Sequence, residues 1–507
     1  MHFAWTIFDA TGPRKCRSSQ GWECDNTRCA HCPLASHTVP RLKDLLPPLA
    51  QWAGLCLLLL TAGAARGQSL LELYQASRQH DAAYLAARAE VDAAQARTGQ
   101  ARAPLLPQLR LQGDVTRTTT DTSMPDLAFG DGGFNMAQVP GLTSGRSSFN
   151  SRSVSLAGVQ ALYHPADRIV LDQSKEAARA ADIALVEAEQ DLVVRVARAY
   201  FDVLAAQNAL DSVQALKQAI ARQRQLAQRN FEIGNATITD SREAQARMDQ
   251  ATAQEIAVQN DLHVKQLALQ ELVGRMGARP LPLATPVQLP VLDPPGVSQW
   301  QGLARANNAQ IQQQSTALNI AEMDTRKARA GHLPTVDLQV SAGTTHYSGN
   351  PGLAAALGGN KNASIGVQLT LPLFSGLATQ YRVRETLAAQ DKARANLSGS
   401  EREVTQAVQA AFFGVQSGLA QVQALETALD SARSALQANQ RGYEVGVRVN
   451  IDVLNAQAQV HDAEDQLAQA RYNVLIGLLQ LKQAAGTLTE VDLAQINALL
   501  EGVVRAQ

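Results

Sequence analysis

Apolar and polar side chains alternate one for one in three short stretches. Leu109, Leu111 and Val115 interleave with Arg110, Gln112, Asp114 and Thr116. Val336, Leu338, Val340 and Ala342 interleave with Asp337, Gln339 and Ser341, and Ile365, Val367, Leu369 and Leu371 with Gly366, Gln368 and Thr370. A period of two predicts strands with one apolar and one polar face. A fourth strand is expected near residues 153–163, but it is irregular, because Val154 and Leu156 are out of phase with Val159 and Ala161. Within each strand pair, residues 121–149 and 346–361 are polar or Gly-rich and follow no period, which predicts long exposed loops.

A longer period governs the rest. Val408, Ala411, Val415, Gly418, Val422, Leu425, Leu429, Ala432 and Leu436 keep a 3,4 spacing, and Val193, Val196, Tyr200 and Val203 begin the same pattern earlier. A sustained 3.5-residue repeat predicts supercoiled helices with an apolar seam. The first such helix runs from about Asp167 to Phe231, roughly 65 residues or on the order of 100 Å. Ala and Gly at seam positions let neighbouring helices approach closely.

The two patterns occur twice. Residues 195–274 align with 407–486 at a constant offset of 212 and without a gap. Arg229, Phe231 and Gly234 meet Arg441, Tyr443 and Gly446; Asp240 meets Asp452; Gly274 meets Gly486. Upstream, Leu106-Pro107 and Gly158 correspond in order to Leu333-Pro334 and Gly366. Each half reads as helix, strand, loop, strand, very long helix, turn and helix. The chain divides into 1–67 (N-terminal extension and signal peptide, removed), 68–290 (first repeat), 291–490 (second repeat) and 491–507 (C-terminal tail).

Composition narrows the class. Only 4% of residues are aromatic, which suits closely packed long helices better than a large globular core. Net charge is −1 and no long basic run is present, so nucleic acid is not an expected partner. All five cysteines lie within the first 56 residues. Residues 41–67 have the pattern of a secretion signal: Arg41 and Lys43, an apolar core from Trp52 to Leu60, then small residues at Ala62-Gly63-Ala64 or Ala65-Arg66-Gly67. The mature chain is expected to begin near Ala65 or Gln68 without cysteine. The polar preface 1–38 fits a start codon placed too far upstream, with translation beginning near Val39. Cys24, Cys29, Cys32 and His37 lack the second ligand pair that a zinc site requires. Leu55 before Cys56 is too bulky for lipid attachment, so no cofactor and no lipid anchor are expected.

Amphipathic strands behind a secretion signal point to a membrane. Only a closed barrel satisfies strand backbones in hydrocarbon. Four strands cannot close one, since the smallest barrels have about eight, so the chain has to oligomerise. In these respects it resembles the TolC-type outer membrane efflux proteins. The resemblance covers about residues 68–490 and is most specific at Arg229-x-Phe231-x-x-Gly234 with Asp240, and at Arg441-x-Tyr443-x-x-Gly446 with Asp452 and Leu454. It implies an α+β membrane protein: a homotrimeric twelve-stranded barrel in outer-membrane lipid, continued by a helical coiled-coil tunnel across the periplasm. The implied partners are a periplasmic adaptor (membrane fusion) protein and an ABC or proton-driven inner-membrane transporter.

The helix-to-helix turns are the candidate site. Gly234 and Gly446 suit the left-handed position after a helix, and Asp240 with Glu243 reads as a capping box. The resemblance further implies that Tyr443 and Arg448 tie a closed periplasmic entrance through links involving Asp240, and that Asp452 contributes to a ring of carboxylates. Asn455 stands where the family pattern has a second acid.

No nucleophile elbow, phosphate-binding loop or zinc-protease motif occurs, and the nine histidines are scattered. The expected function is a passive exit duct, not an enzyme, leaning to type I protein secretion. The alternative is the outer-membrane part of a multidrug pump. A structural coiled-coil surface protein and a periplasmic adaptor fit less well, because neither needs four strands and two duplicated turns.

Overall fold

The computed structural model describes residues 67–500, apart from 123–127, 130–133, 136–144, 235–236, 285 and 350–357. The five cysteines, the leader and its cleavage positions up to Arg66 lie outside the described residues. So do most of the first strand-pair loop, half of the second and the last residues of the C-terminal segment.

Each repeat opens with two helices where the sequence reads as one. Helices α1 (Leu70–His80) and α2 (Ala82–Arg102) meet at Asp81, and after α3 (Pro165–Glu232) and α4 (Ile238–Val273) the second repeat begins with α5 (Val297–Asn307) and α6 (Ala309–Ala330), which meet at Asn308. Asp81 and Asn308 each sit in extended backbone and accept a hydrogen bond from the next helix, from the Tyr84 and Ile311 amides. A side chain that caps one helix while ending another breaks the rod without interrupting its apolar period. The remaining helices are α7 (Ala378–Glu444), α8 (Asn450–Ala484) and α9 (Glu490–Asn497).

The long helices α3 and α7 have 68 and 67 residues. At 1.5 Å per residue each is about 100 Å long. α2 and then α4 pack along α3, α6 and then α8 along α7, and α3 also packs against α6 and α8. The seam is the expected one: Val408, Val415, Val422 and Leu429 recur every seven residues and are all buried. Close approach occurs at Gly418, where an added Cβ would stand 2.9 Å from Val474 Cγ2, and at Gly477, 3.1 Å from Val415 Cγ2. In the middle of the molecule, Tyr200, Phe201 and Tyr472 join Leu70, Tyr74, Leu493 and Leu500 in one apolar cluster, so α9 packs onto the start of the first repeat.

The strands are β1 (Gln108–Thr122), a short pair β2 (Ala128–Phe129) and β3 (Phe134–Asn135), β4 (Gly145–Tyr163), β5 (Thr335–Gly349) and β6 (Gly359–Thr370). The main sheet is antiparallel in the order β1-β4-β5-β6, and among the described residues the outer edges of β1 and β6 are unpaired. β1, β4 and β5 extend further into the expected loops than the alternation indicated, while β6 stops one residue short of Leu371.

The irregular strand pairs evenly on its β1 side, and on its β5 side the register shifts once, between Ala161 and Tyr163. β4 pairs with β1 without a break from Gln108↔Val159 to Thr122↔Gly145. The phase problem arises because Val159 and Ala161 lie on the polar face, opposite Gln339 and Asp337. On the apolar face β4 carries Val154, Leu156 and Gly158, and Leu109 Cδ2 covers the space above Gly158 at 3.0 Å from an added Cβ. A strand whose apolar face contains a glycine looks out of phase in sequence.

Candidate functional site

The register assigns each side of the sheet. One face carries Leu109, Leu111 and Val115, Val154 and Leu156, Leu338, Val340 and Ala342, and Ala363, Ile365, Val367 and Leu369. The other carries Gln112, Asp114, Ser153, Gln339, Ser341, Ser364 and Gln368. Those polar groups bond one another: Gln339 to Gln368, Ser341 to Ser364 at 2.8 Å, and Ser153 to Asp114 at 3.4 Å. In the central strands the apolar face is the more exposed one. Along β4 and β5, Arg152, Val154, Leu156, Val340, Ala342 and Thr344 are open, while Ser151, Ser153, Ser155, Ser341 and Gly343 are half-buried. Leu109 is 75% exposed and Leu111 72%. A water-soluble sheet buries its apolar side, whereas a sheet with an open apolar side and a more sheltered polar side fits a lipid-facing wall around a wet lumen.

At the far end of the helices the two turns follow one plan. Gly234 and Gly446 have φ of +80° and +79°. Nothing lies within 4 Å of a Cβ added at either, so glycine is required there by backbone conformation and not by space. Their amides donate to Phe231 O and Tyr443 O at 3.0 and 3.1 Å, ending α3 and α7.

The cap of α4 differs from the expected one. Its N-cap is Thr237, whose Oγ1 accepts from the Asp240 amide at 3.3 Å while Asp240 Oδ2 accepts from the Thr237 amide at 3.1 Å. Asp240 is thus the third helical residue of the box, and Glu243 has no part in it, because the chain turns into the helix three residues earlier than the acidic pair suggested. In the second repeat Val449 replaces Thr237 and no side chain caps α8. Asp452 is therefore released from capping. It pairs with Arg448 at 3.6 Å, both groups partly exposed.

Within one protomer the Tyr443 hydroxyl accepts from Asn230 Nδ2 at 3.2 Å and makes no bond to Asp240. The residues the structure brings together are thus Tyr443 with Asn230 and Arg448 with Asp452; it does not bring either to the Asp240 carboxylate. Two further residues shape the site. Buried Asn450 accepts from Gln223 of α3 through Oδ1, and its Nδ2 donates to the Asp240 carbonyl at 3.5 Å, joining α3, α4 and α8. Its counterpart in the first repeat is Ile238, and that mismatch was the available signal. Asn455 accepts from Arg247 Nη2 at 2.9 Å, so the position lacking the second acid faces a cation on α4.

Higher on the α3–α8 seam, His461 Nδ1 lies 3.4 Å from Ser212 Oγ. Burial pushes the Asp465 carboxyl from 3.8 up to about 6, opposed by a hydrogen bond with Ser212 and reinforced by Asp462 and Glu464. Burial lowers His461 against the same two acids. Folded Asp465 binds its proton more tightly than the unfolded chain does, so its contribution falls as pH rises from about 4 to about 6 and stays low above that. His461 has the opposite sign, losing stability as pH falls. Asp465→Asn should raise the thermal midpoint at about pH 7.5 and change it much less at about pH 4.5. Equal shifts at both pH values would contradict this assignment.

Around the turns, Val445 is 73% and Val447 76% exposed, with Ile233, Ile238 and Val449 also open. The molecule thus presents apolar side chains at both ends, a lipid-facing wall at one and a small crown at the other.

Known proteins share this arrangement. The model of the family described as outer membrane efflux protein matches residues 73–275 and 300–487. Over 457 residues the chain is 31% identical to the outer membrane protein TolC of Vibrio cholerae serotype O1, covering 87% of this chain and 95% of that one. It is also 31% identical over 463 residues to the alkaline protease secretion protein AprF of Pseudomonas aeruginosa, covering 89% and 91%. The solved structure of the outer membrane protein VceC from Vibrio cholerae shares the fold, with a TM-score of 0.66 and 20% identity over 82% of this chain and 96% of that one. TolC-type channels are trimeric and work in tripartite systems with adaptors and inner-membrane transporters. With a lipid-facing wall, a duplicated helical shaft and a matched family model, the chain belongs to the outer membrane efflux protein family, whose members are channels of the outer membrane extending into the periplasm and not enzymes.

Proposed function

We propose that three copies close one barrel and release secreted proteins, delivered by an ATP-driven inner-membrane transporter through a periplasmic adaptor. The observation that carries the duct is the sheet with its apolar face open and both edges unpaired, since unsatisfied edge groups have no water to bond in a bilayer. The protein-secretion reading is supported by the match to the alkaline protease secretion protein along nearly its whole length. It predicts that co-expression with an ATP-driven protease exporter and its adaptor restores export of the protease; restored drug resistance without protease export would favour the multidrug alternative.

The apolar crown of Ile233, Val445 and Val447 is the docking surface for the adaptor. Gly234 and Gly446 hold that crown in shape. At the entrance, Asp452 is the lumen charge, because its cap partner is replaced by valine. Asp240 is committed to Thr237 within its own chain, so a link from Asp240 to Arg448 has to come from a neighbouring protomer.

Asp452→Ala should lower the cation preference of the open channel, seen as a shift in reversal potential under a salt gradient, with little change in single-channel conductance. An unchanged reversal potential would reduce Asp452 to a favourable charge at a helix N-terminus.

A further inference from the structure

A second pattern lies on the outward face, beyond the apolar band and towards the strand-pair loops. On three of the four main strands, the outward position next after the last apolar one is a cation. Val115 is followed by Arg117 on β1, Val154 is preceded by Arg152 on β4, and Ala363 is preceded by Lys361 on β6. On β5 the outward series runs Ala342, Thr344, His346.

The register brings these positions together. Arg152 is opposite both Val115 and His346, Arg117 is opposite Asn150, and Lys361 is opposite Thr344. Each is thus within two residues of the same cross-strand row, with strands about 4.8 Å apart. The apolar band steps down from β1 to β6 in the same way, so the cations follow its rim. All are exposed, and among the described residues Arg117, Arg152 and Lys361 have no acidic partner. Further out, four residues past Arg117 and six past Arg152, Arg146 is matched by Asp121 at 3.9 Å, so among the described residues of this face the unmatched charge is at the rim. At the opposite, helix-side rim the outward residues Gln160, Val336 and Leu369 carry no charge.

Unmatched cations at only one rim of a lipid-facing band fit a leaflet whose head groups are anionic. The helices extend into the periplasm, so the charged rim is at the outer leaflet. We propose that Arg117, Arg152 and Lys361 form a belt that binds the phosphate groups of the phosphorylated glycolipid in that leaflet, with His346 as a neighbouring donor. The proposal rests on the apolar face lying in lipid. A belt of this kind fixes the depth of the barrel and leaves the lumen charge untouched.

The test uses purified trimers in detergent titrated with fluorescent lipid A carrying both phosphates. Wild-type protein should bind it saturably. The triple variant Arg117→Gln, Arg152→Gln, Lys361→Gln should bind at least about tenfold more weakly. Lipid A stripped of phosphate should bind wild type as weakly as the variant binds the intact lipid. Arg110→Gln, on the polar face of β1, should leave binding unchanged. If the triple variant does not form trimers, the single variants, each expected to weaken binding about two- to threefold, and the stripped lipid decide. Equal binding of stripped and intact lipid A, equal binding by wild type and variants, or equally tight binding of phosphatidylglycerol would overturn the proposal. Wild-type protein that needs no detergent would instead overturn the membrane reading beneath it.

Discussion

Leu111→Arg combined with Val340→Arg is expected to remove the protein from the outer membrane. Both side chains lie on the open apolar face, on β1 and β5. A cation at the midplane of a membrane barrel costs about 2–4 kcal/mol, so the pair costs about 4–8 kcal/mol per chain. Multiplied by three copies, that is about 12–24 kcal/mol, which matches or exceeds the roughly 5–15 kcal/mol by which folded proteins are usually stable. The control is Ser341→Arg, one residue along β5 but on the polar face, where its neighbour across the strand is Ser364. It should accumulate as heat-modifiable oligomer near the wild-type level. Quantitative blotting of outer-membrane fractions separates the two. Equal loss in both variants would mean that the strand tolerates no arginine; equal retention would mean that the apolar face does not meet lipid.

The second large effect is at the entrance. Tyr443→Phe removes the hydroxyl held by Asn230, and Arg448→Ser removes the guanidinium proposed to reach Asp240 of a neighbouring protomer, which within its own chain pairs with Asp452. Each link is partly exposed, so each contributes only about 1 kcal/mol and single variants should leak little. Trimer symmetry repeats both links three times, giving about 6 kcal/mol in all if the protomers open together. The double variant should therefore raise single-channel conductance in planar bilayers several-fold. Unchanged conductance would mean that these residues only shape the two turns.

The fold was legible because each period in the sequence encodes one environment. The 3.5-residue seam from Val408 to Leu436 is the buried stripe of α7, and the alternation of Val336 to Ala342 is the sidedness of β5. Legibility failed where one residue carries a conformation instead of a pattern. Asp81 and Asn308 divide helices by capping, and Gly158 leaves an apolar face without an apolar side chain. The entrance was legible in part. Both glycines follow from the left-handed turn, but the true cap, Thr237, was hidden because Asp240 and Glu243 have capping spacing of their own. Asn450 was missed because a buried polar side chain has no periodic signature. Its role depends on Gln223, far away in sequence.

Disulfide trapping across the open sheet edges tests the central claim most directly, and the described residues carry no cysteine to confuse it. Gln112→Cys on β1 is paired in turn with Ser364→Cys, Gly366→Cys and Gln368→Cys on β6, all on the polar face. Oxidation in isolated outer membranes should give, for at least one pair, a covalent ladder that stops at three chains and disappears on reduction. A ladder that stops at two or continues beyond three, or no product from any pair alongside a monomer soluble without detergent, would contradict a barrel closed by three copies of this chain.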